Sequence, residues 1–166
     1  MKARNIFIGC GVLLLLCIVV GGIGFFTLGK SVINTLTNGP YEIGKRAMPA
    51  DANQDTLLPQ AVGGFTRGDV TTAANGFTAT YTSGSDTVKA SAGGFESVAA
   101  AQANIPTSKT GDGSWTISLS VGDPSFAMDG TQGTATKIIY SRGKYLFFFT
   151  ASSASALEGF MTKFPY

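Results

Sequence analysis

The chain has 166 residues, of which 13% are charged, and its 12 basic and 10 acidic side chains give a formal net charge of +2. A chain of this length accommodates one membrane segment and one modest domain, because single domains commonly contain about 100–150 residues, so a second catalytic domain is excluded. Lys2 and Arg4 account for the whole net charge, and the balanced remainder argues against nucleic acid as a partner.

Residues that carry common active-site chemistry are scarce. The sequence contains no histidine, which removes the commonest general base near neutral pH and the commonest metal ligand. Its two cysteines, Cys10 and Cys17, both lie in the N-terminal apolar run, so the rest of the chain has no thiol for a disulfide or a metal site. We therefore predict no enzymatic activity, no cofactor and no metal site.

An uncharged run of 23 residues, Ile6 to Leu28, lies near the N-terminus. At about 1.5 Å per residue a helix of this length exceeds the roughly 30 Å hydrocarbon core, which predicts a single-pass span over 6–28 within a signal-anchor segment 1–37. Basic residues precede the run, which favours a cytoplasmic N-terminus and a periplasmic or extracellular domain at the plasma (inner) membrane. A cleaved signal peptide is the alternative, with Gly22-Ile23-Gly24 as a poor small-x-small site.

Gly21, Gly22 and Gly24 lie together near the end of this predicted span. Small residues let helix backbones approach closely in lipid, so these three predict packing against a partner helix. The alternative interpretation is that glycine is simply frequent in transmembrane helices.

The predicted helix ends at Asn38-Gly39-Pro40, because turn residues and the missing proline N–H interrupt it. The residues that follow show no periodicity. We therefore predict a linker over 38–56 and an extracytoplasmic domain over 57–166.

Alternating apolar and polar residues predict two β-hairpins in the domain, one over 77–92 and one over 134–151, and a further strand over 115–121. Apolar spacing predicts a helix over about 96–105 and another that contains Leu157 and Phe164. The stretches 81–106 and 140–165 share the order strand, turn, strand, helix, proline, which suggests a duplicated ββα unit. The predicted fold class is α+β: a mainly antiparallel sheet with both helices on one face.

The segment Tyr145 to Phe149 is apolar at every position, so a strand here has two apolar faces. One face can pack under the helices, and the other needs a cover. We predict Tyr145, Phe147 and Phe149 as a candidate docking strand, and the alternative is a central strand covered on both sides within the domain.

These features favour a non-catalytic accessory or structural subunit of a larger membrane protein complex, such as one of respiratory or photosynthetic electron transfer. Its predicted partners are the lipid bilayer and other subunits of the complex. The alternative is a stand-alone, membrane-anchored ligand-binding or envelope-maintenance domain of a bacterial envelope. That alternative needs a pocket with convergent polar groups, for which Arg67, Tyr81 and Trp115 are candidates.

Overall fold

The computed structural model describes residues 39–106, 115, 117–119 and 123–166. The predicted span over 6–28, with Gly21, Gly22 and Gly24, lies outside these residues. In the described part of the chain, no helix has the length and apolar character needed to cross a bilayer.

The domain is built on one antiparallel sheet of eight strands, ordered β1-β2-β3-β4-β8-β7-β6-β5. The strands are β1 (Ala61–Val62), β2 (Phe65–Ala73), β3 (Gly76–Ser83), β4 (Asp86–Gly94), β5 (Ile117–Leu119), β6 (Ser125–Met128), β7 (Lys137–Arg142) and β8 (Tyr145–Ala151). The seven strands longer than two residues form a curled sheet, or half-barrel. This confirms the prediction of a mainly antiparallel sheet.

Both predicted hairpins are present. β3 pairs with β4, and β7 pairs with β8, and in each hairpin the turn contains a glycine with positive φ, Gly84 at 59° and Gly143 at 54°. Glycine adopts this conformation without a steric penalty, which explains the turn positions. β4 and β8 then pair along seven residues each and join the two hairpins at the centre of the sheet.

The helices are short. They are a 3-10 helix (Pro40–Lys45), α1 (Gln54–Leu57), α2 (Val98–Gln102) and α3 (Ala154–Met161). Serine caps begin the last two: the Oγ of Ser97 accepts from the amide of Ala100, and the Oγ of Ser153 accepts from the amide of Ala156, each at 3.1 Å. Such caps satisfy amides that have no partner within the helix.

The main core lies between one face of the sheet, which we call the core face, and α3 with the residues after it. α3 contributes four buried side chains, Ala156, Leu157, Phe160 and Met161. Phe160 packs edge-on against Tyr81 of β3, with ring centroids 4.9 Å apart. This face buries most of the large apolar side chains of the described residues.

α2 does not share that face. It lies against β7 and β8, yet its buried Ala101 and the following Ile105 do not belong to the main core cluster. The core face of these two strands is occupied by residues after α3, with Phe164 against Phe147 and the Tyr166 carbonyl bonded to the hydroxyl of Tyr140. α2 therefore covers the other face, which we call the reverse face.

The prediction that both helices lie on one face is thus wrong. The two strand–strand–helix successions, β3-β4-α2 and β7-β8-α3, are present in the predicted order. Their helices pack on opposite faces, so the two stretches are not two copies of one ββα arrangement. Periodicity predicts a helix but not the face on which it packs.

Part of the segment predicted as a linker over 38–56 belongs to the core. Tyr41 is 6% exposed and Ile43 is fully buried. The folded domain therefore extends to residue 39 and does not begin at 57. A 3-10 helix of six residues is too short to show a periodic pattern, which is why the sequence suggested a linker.

Candidate functional site

The two faces of β8 differ in exposure. Tyr145, Phe147 and Phe149 are 5%, 0% and 0% exposed, and all three point to the core face. Phe147 stacks on Tyr140 with ring centroids 5.2 Å apart. These three side chains are core residues and cannot contact a partner in this structure, so the prediction of a docking strand at them is corrected.

Leu146 and Phe148, the alternate residues of β8, point to the reverse face and are half-buried. They form one wall of a groove of about 200 Å³, which we call the Phe148 groove. Its lining residues are Ala73, Asn75, Gly76, Phe77, Thr78, Ser91, Ala92, Gly93, Phe95, Leu146 and Phe148. All of these are uncharged.

Two glycines shape the floor of the groove. A Cβ atom added to Gly76 would lie 2.2 Å from the carbonyl oxygen of Ala92, and one added to Gly93 would lie 2.2 Å from that of Asn75. Both positions therefore require glycine, because no side chain fits between backbones this close.

The groove changes from polar to apolar across the sheet. On its β3–β4 side the hydroxyls of Thr78 and Ser91 lie 2.9 Å apart in a hydrogen bond between register partners. On its β8 side the ring of Phe148 has its centroid 6.0 Å from that of Trp115. A surface of this kind offers an apolar contact with a few hydroxyl groups beside it.

A second depression of about 310 Å³ continues from the groove around the end of the sheet. It shares Ala73, Asn75, Gly76 and Phe77 with the groove and extends to Ala52 and Gly94. The two concavities together run from β8 to the β2–β3 turn.

The three candidates for a polar pocket, Arg67, Tyr81 and Trp115, are not brought together. Arg67 pairs with Asp55 at 2.7 Å and donates to the carbonyl oxygen of Leu58, which ties β2 to α1. Its side chain is 8% exposed. These bonds give Arg67 a structural role.

Tyr81 and Trp115 lie elsewhere. The hydroxyl of Tyr81 donates to the carbonyl oxygen of Pro59 at 2.7 Å, and burial raises the pKa of this phenol. Trp115 contacts Phe148 on the reverse face. Of the three, only Trp115 lies beside the Phe148 groove.

Within residues 39–106 and 123–166, no three His, Cys, Asp or Glu side chains come close enough together to hold a metal ion. Charged side chains of this part of the chain instead connect segments. The guanidinium of Arg142 pairs with Asp123 at 2.6 Å and donates to the carbonyl oxygen of Gly44 at 2.7 Å.

No family model, curated protein or solved structure matches this chain. The interpretation of the Phe148 groove therefore depends on the residues themselves.

Sequence reasoning missed most of this groove. The apolar run 145–149 did indicate that β8 has two apolar faces, and Phe148 belongs to that signal. Phe77, Phe95 and the two floor glycines carry no such signal, because only the pairing of β3, β4 and β8 brings them together.

Proposed function

We propose that this chain is a non-catalytic accessory subunit of a larger membrane protein complex, anchored by an N-terminal transmembrane helix with its domain on the periplasmic or extracellular side. The observation that carries the proposal is the Phe148 groove, an uncharged, partly apolar concavity beside Leu146 and Phe148 of β8. Exposed apolar surfaces with a polar rim are typical of protein–protein contacts.

The lining of the groove favours a side chain of another protein over a free small molecule. Sites for small molecules combine an apolar lining with a few convergent polar groups, whereas the groove of about 200 Å³ has no charged residue in its lining, and the hydroxyls of Thr78 and Ser91 are bonded to each other. An aromatic or branched aliphatic side chain of a neighbouring subunit suits that volume, with Leu146 and Phe148 as its apolar contacts.

The predicted membrane anchor, which is inferred from the sequence, supports the same proposal. The uncharged run 6–28 is long enough to span a bilayer, and Gly21, Gly22 and Gly24 would allow a second helix to pack closely. If the helix binds a partner in the lipid, the groove is held close to the same complex. The effective concentration of the groove for its own binding site is then raised.

The experiment is a mild detergent extraction of the full-length tagged protein from its native membrane, followed by separation at native mass and identification of co-migrating proteins. We expect co-migration at fixed stoichiometry. We expect Leu146→Ser combined with Phe148→Ser to reduce it, and replacement of Gly21, Gly22 and Gly24 by leucine to reduce it independently.

Met48→Ser is the matched control for the groove variant. Met48 is 37% exposed and lies outside the groove lining, so the same change of character should leave co-migration intact. Migration of the wild-type protein alone would contradict the proposal and would direct the search to ligands of the isolated domain.

A further inference from the structure

Residues 39–46 form a segment, here called the strap, that lies over one end of the core. Its apolar residues Pro40, Tyr41 and Ile43 are buried. Gly39 is closely surrounded. A Cβ atom added to it would lie 3.0 Å from the side chain of Ile43 and 3.1 Å from that of Pro124, the residue before β6. The strap therefore closes the core beside β6 and is not a free connection.

The backbone of the strap is strained. Tyr41 and Glu42 both have φ of 54°, in the left-handed region that residues with a side chain rarely adopt. Two consecutive non-glycine residues in this region store strain that the surrounding contacts must offset. Beside the strap, the Nε of Arg142 is buried without a hydrogen-bond partner in the structure.

Arg46 supplies most of the hydrogen bonds between the strap and the rest of the domain. Two more join Nη2 of Arg142 to the carbonyl oxygen of Gly44 at 2.7 Å, and the amide of Tyr41 to Oε1 of Gln132 at 3.1 Å. Arg46 donates from Nη2 to the carbonyl oxygens of Tyr41 and Met161, each at 2.6 Å, and from Nη1 to that of Phe164 at 2.7 Å. It thus joins the start of the strap to the end of α3, where helix carbonyls lack partners and favour a cation.

Arg46 belongs to none of the ion pairs Lys45–Glu42, Arg67–Asp55 and Arg142–Asp123. The negative charge of Glu42 favours its cation, but the desolvation of the guanidinium is the larger effect. Burial partly desolvates the guanidinium of Arg46 and thereby lowers its pKa. The bonds that hold the strap are therefore offset by strain in its backbone and by desolvation of its arginine.

We propose that the strap is a conformational device, a segment that opens as one unit when Arg46 leaves the carbonyl oxygens of Tyr41, Met161 and Phe164, while the sheet stays folded. Strained segments with few bonds open locally at a lower free energy than core strands. Because Gly39 continues into the N-terminal part of the chain, a force on that part acts on the strap first. The inference concerns the domain alone and does not depend on the proposed function.

The test is hydrogen exchange of the detergent-solubilised full-length protein, followed by mass spectrometry of peptides from the strap, the end of α3, β4 and β8. In the wild type we expect the strap amides to exchange faster than those of β4 and β8. Arg46→Lys keeps the charge but cannot reach three carbonyl oxygens at once, so strap exchange should rise about tenfold or more with β4 and β8 unchanged. Lys45→Ala is the matched control, because it removes only the exposed pair with Glu42.

A second variant shifts the equilibrium in the opposite direction. Glu42 is exposed, so Glu42→Gly removes backbone strain without removing a core side chain, and we expect strap exchange to slow by about threefold to tenfold. Faster exchange in Arg46→Lys together with slower exchange in Glu42→Gly would establish the device. The proposal would be overturned if the exchange rate of the strap changed in parallel with the rates of β4 and β8 in every variant. It would also be overturned if Glu42→Gly left the exchange rate of the strap unchanged.

Discussion

Phe147 and Phe148 are neighbours in the chain but lie on opposite faces of the sheet. Phe147 is fully buried against Tyr140, Phe164 and Tyr166, whereas Phe148 is half-buried in the groove beside Trp115. This alternation follows from the two-residue period of a strand. Phe147 therefore contributes to the stability of the domain, whereas Phe148 contributes to the proposed docking surface.

We expect Phe147→Ala to lower the free energy of unfolding by about 3–5 kcal/mol, because a large buried ring leaves a cavity. Phe148→Ala should cost less than about half as much, since its ring is partly exposed before the change. Urea unfolding, followed by circular dichroism, measures both. Equal costs for the two substitutions would contradict the assignment of the two faces.

The floor of the groove tolerates no side chain. We expect Gly93→Ala to lower the free energy of unfolding by about 1–3 kcal/mol, because its Cβ would collide with the carbonyl oxygen of Asn75. Gly64→Ala is the control, since a Cβ there would lie 3.5 Å from the Oγ of Ser83, an ordinary contact. Denaturant titration should rank the two variants in this order, and a neutral Gly93→Ala would show that β3 and β4 separate more easily than the structure implies.

At Gly159, unlike at Gly93, an added side chain should stabilise the domain. It is exposed within α3, and an added Cβ would meet only Phe65, at 3.9 Å. We expect Gly159→Ala to raise the free energy of unfolding by about 0.5–1 kcal/mol, because alanine loses less backbone entropy on forming a helix. Thermal unfolding would detect the gain, and a loss of stability would mean that α3 packs more tightly against β2 than this distance indicates.

Alkaline pH should destabilise the domain through its buried phenols. Burial raises the pKa of Tyr140 and Tyr81 above the value of about 10 that they have in the unfolded chain. Their contribution to stability is therefore fully present below pH of about 10, and it is lost as the pH rises above this value because the unfolded chain gives up these protons first.

Urea unfolding at pH values from about 8 to about 11.5 would measure this dependence. In the double variant Tyr81→Phe, Tyr140→Phe we expect a smaller loss of stability over that range, together with a lower stability at neutral pH from the two missing hydrogen bonds. An unchanged slope would show that other groups cause the alkaline loss.

Much of the local structure was predictable from the residues. Alternation located the β3–β4 and β7–β8 hairpins, whose turns contain Gly84 and Gly143 in the structure. β1, β2 and β6 were missed. β2 contains Gly68 and Asp69 beside an irregular register, so its pattern does not alternate cleanly.

The candidate site was predictable only in part. The apolar run of β8 showed that this strand has two faces to cover, but the choice of Tyr145, Phe147 and Phe149 selected the buried one. Exposure is decided by what packs on each face, and the residues that cover Phe147 come from the end of the chain. No local pattern carries that information.

The amino-acid sequence by itself determined the strand periodicity that located both hairpins, because this pattern depends on residues close together in the chain. It also contains the uncharged run 6–28, which remains a prediction of a membrane span. Tertiary structure alone decided that α2 covers the reverse face, that Gly76 and Gly93 form a groove floor, and that Arg46 holds residues 39–46 against the end of α3. These features depend on contacts between distant segments, whose geometry is set by the packing of the whole sheet.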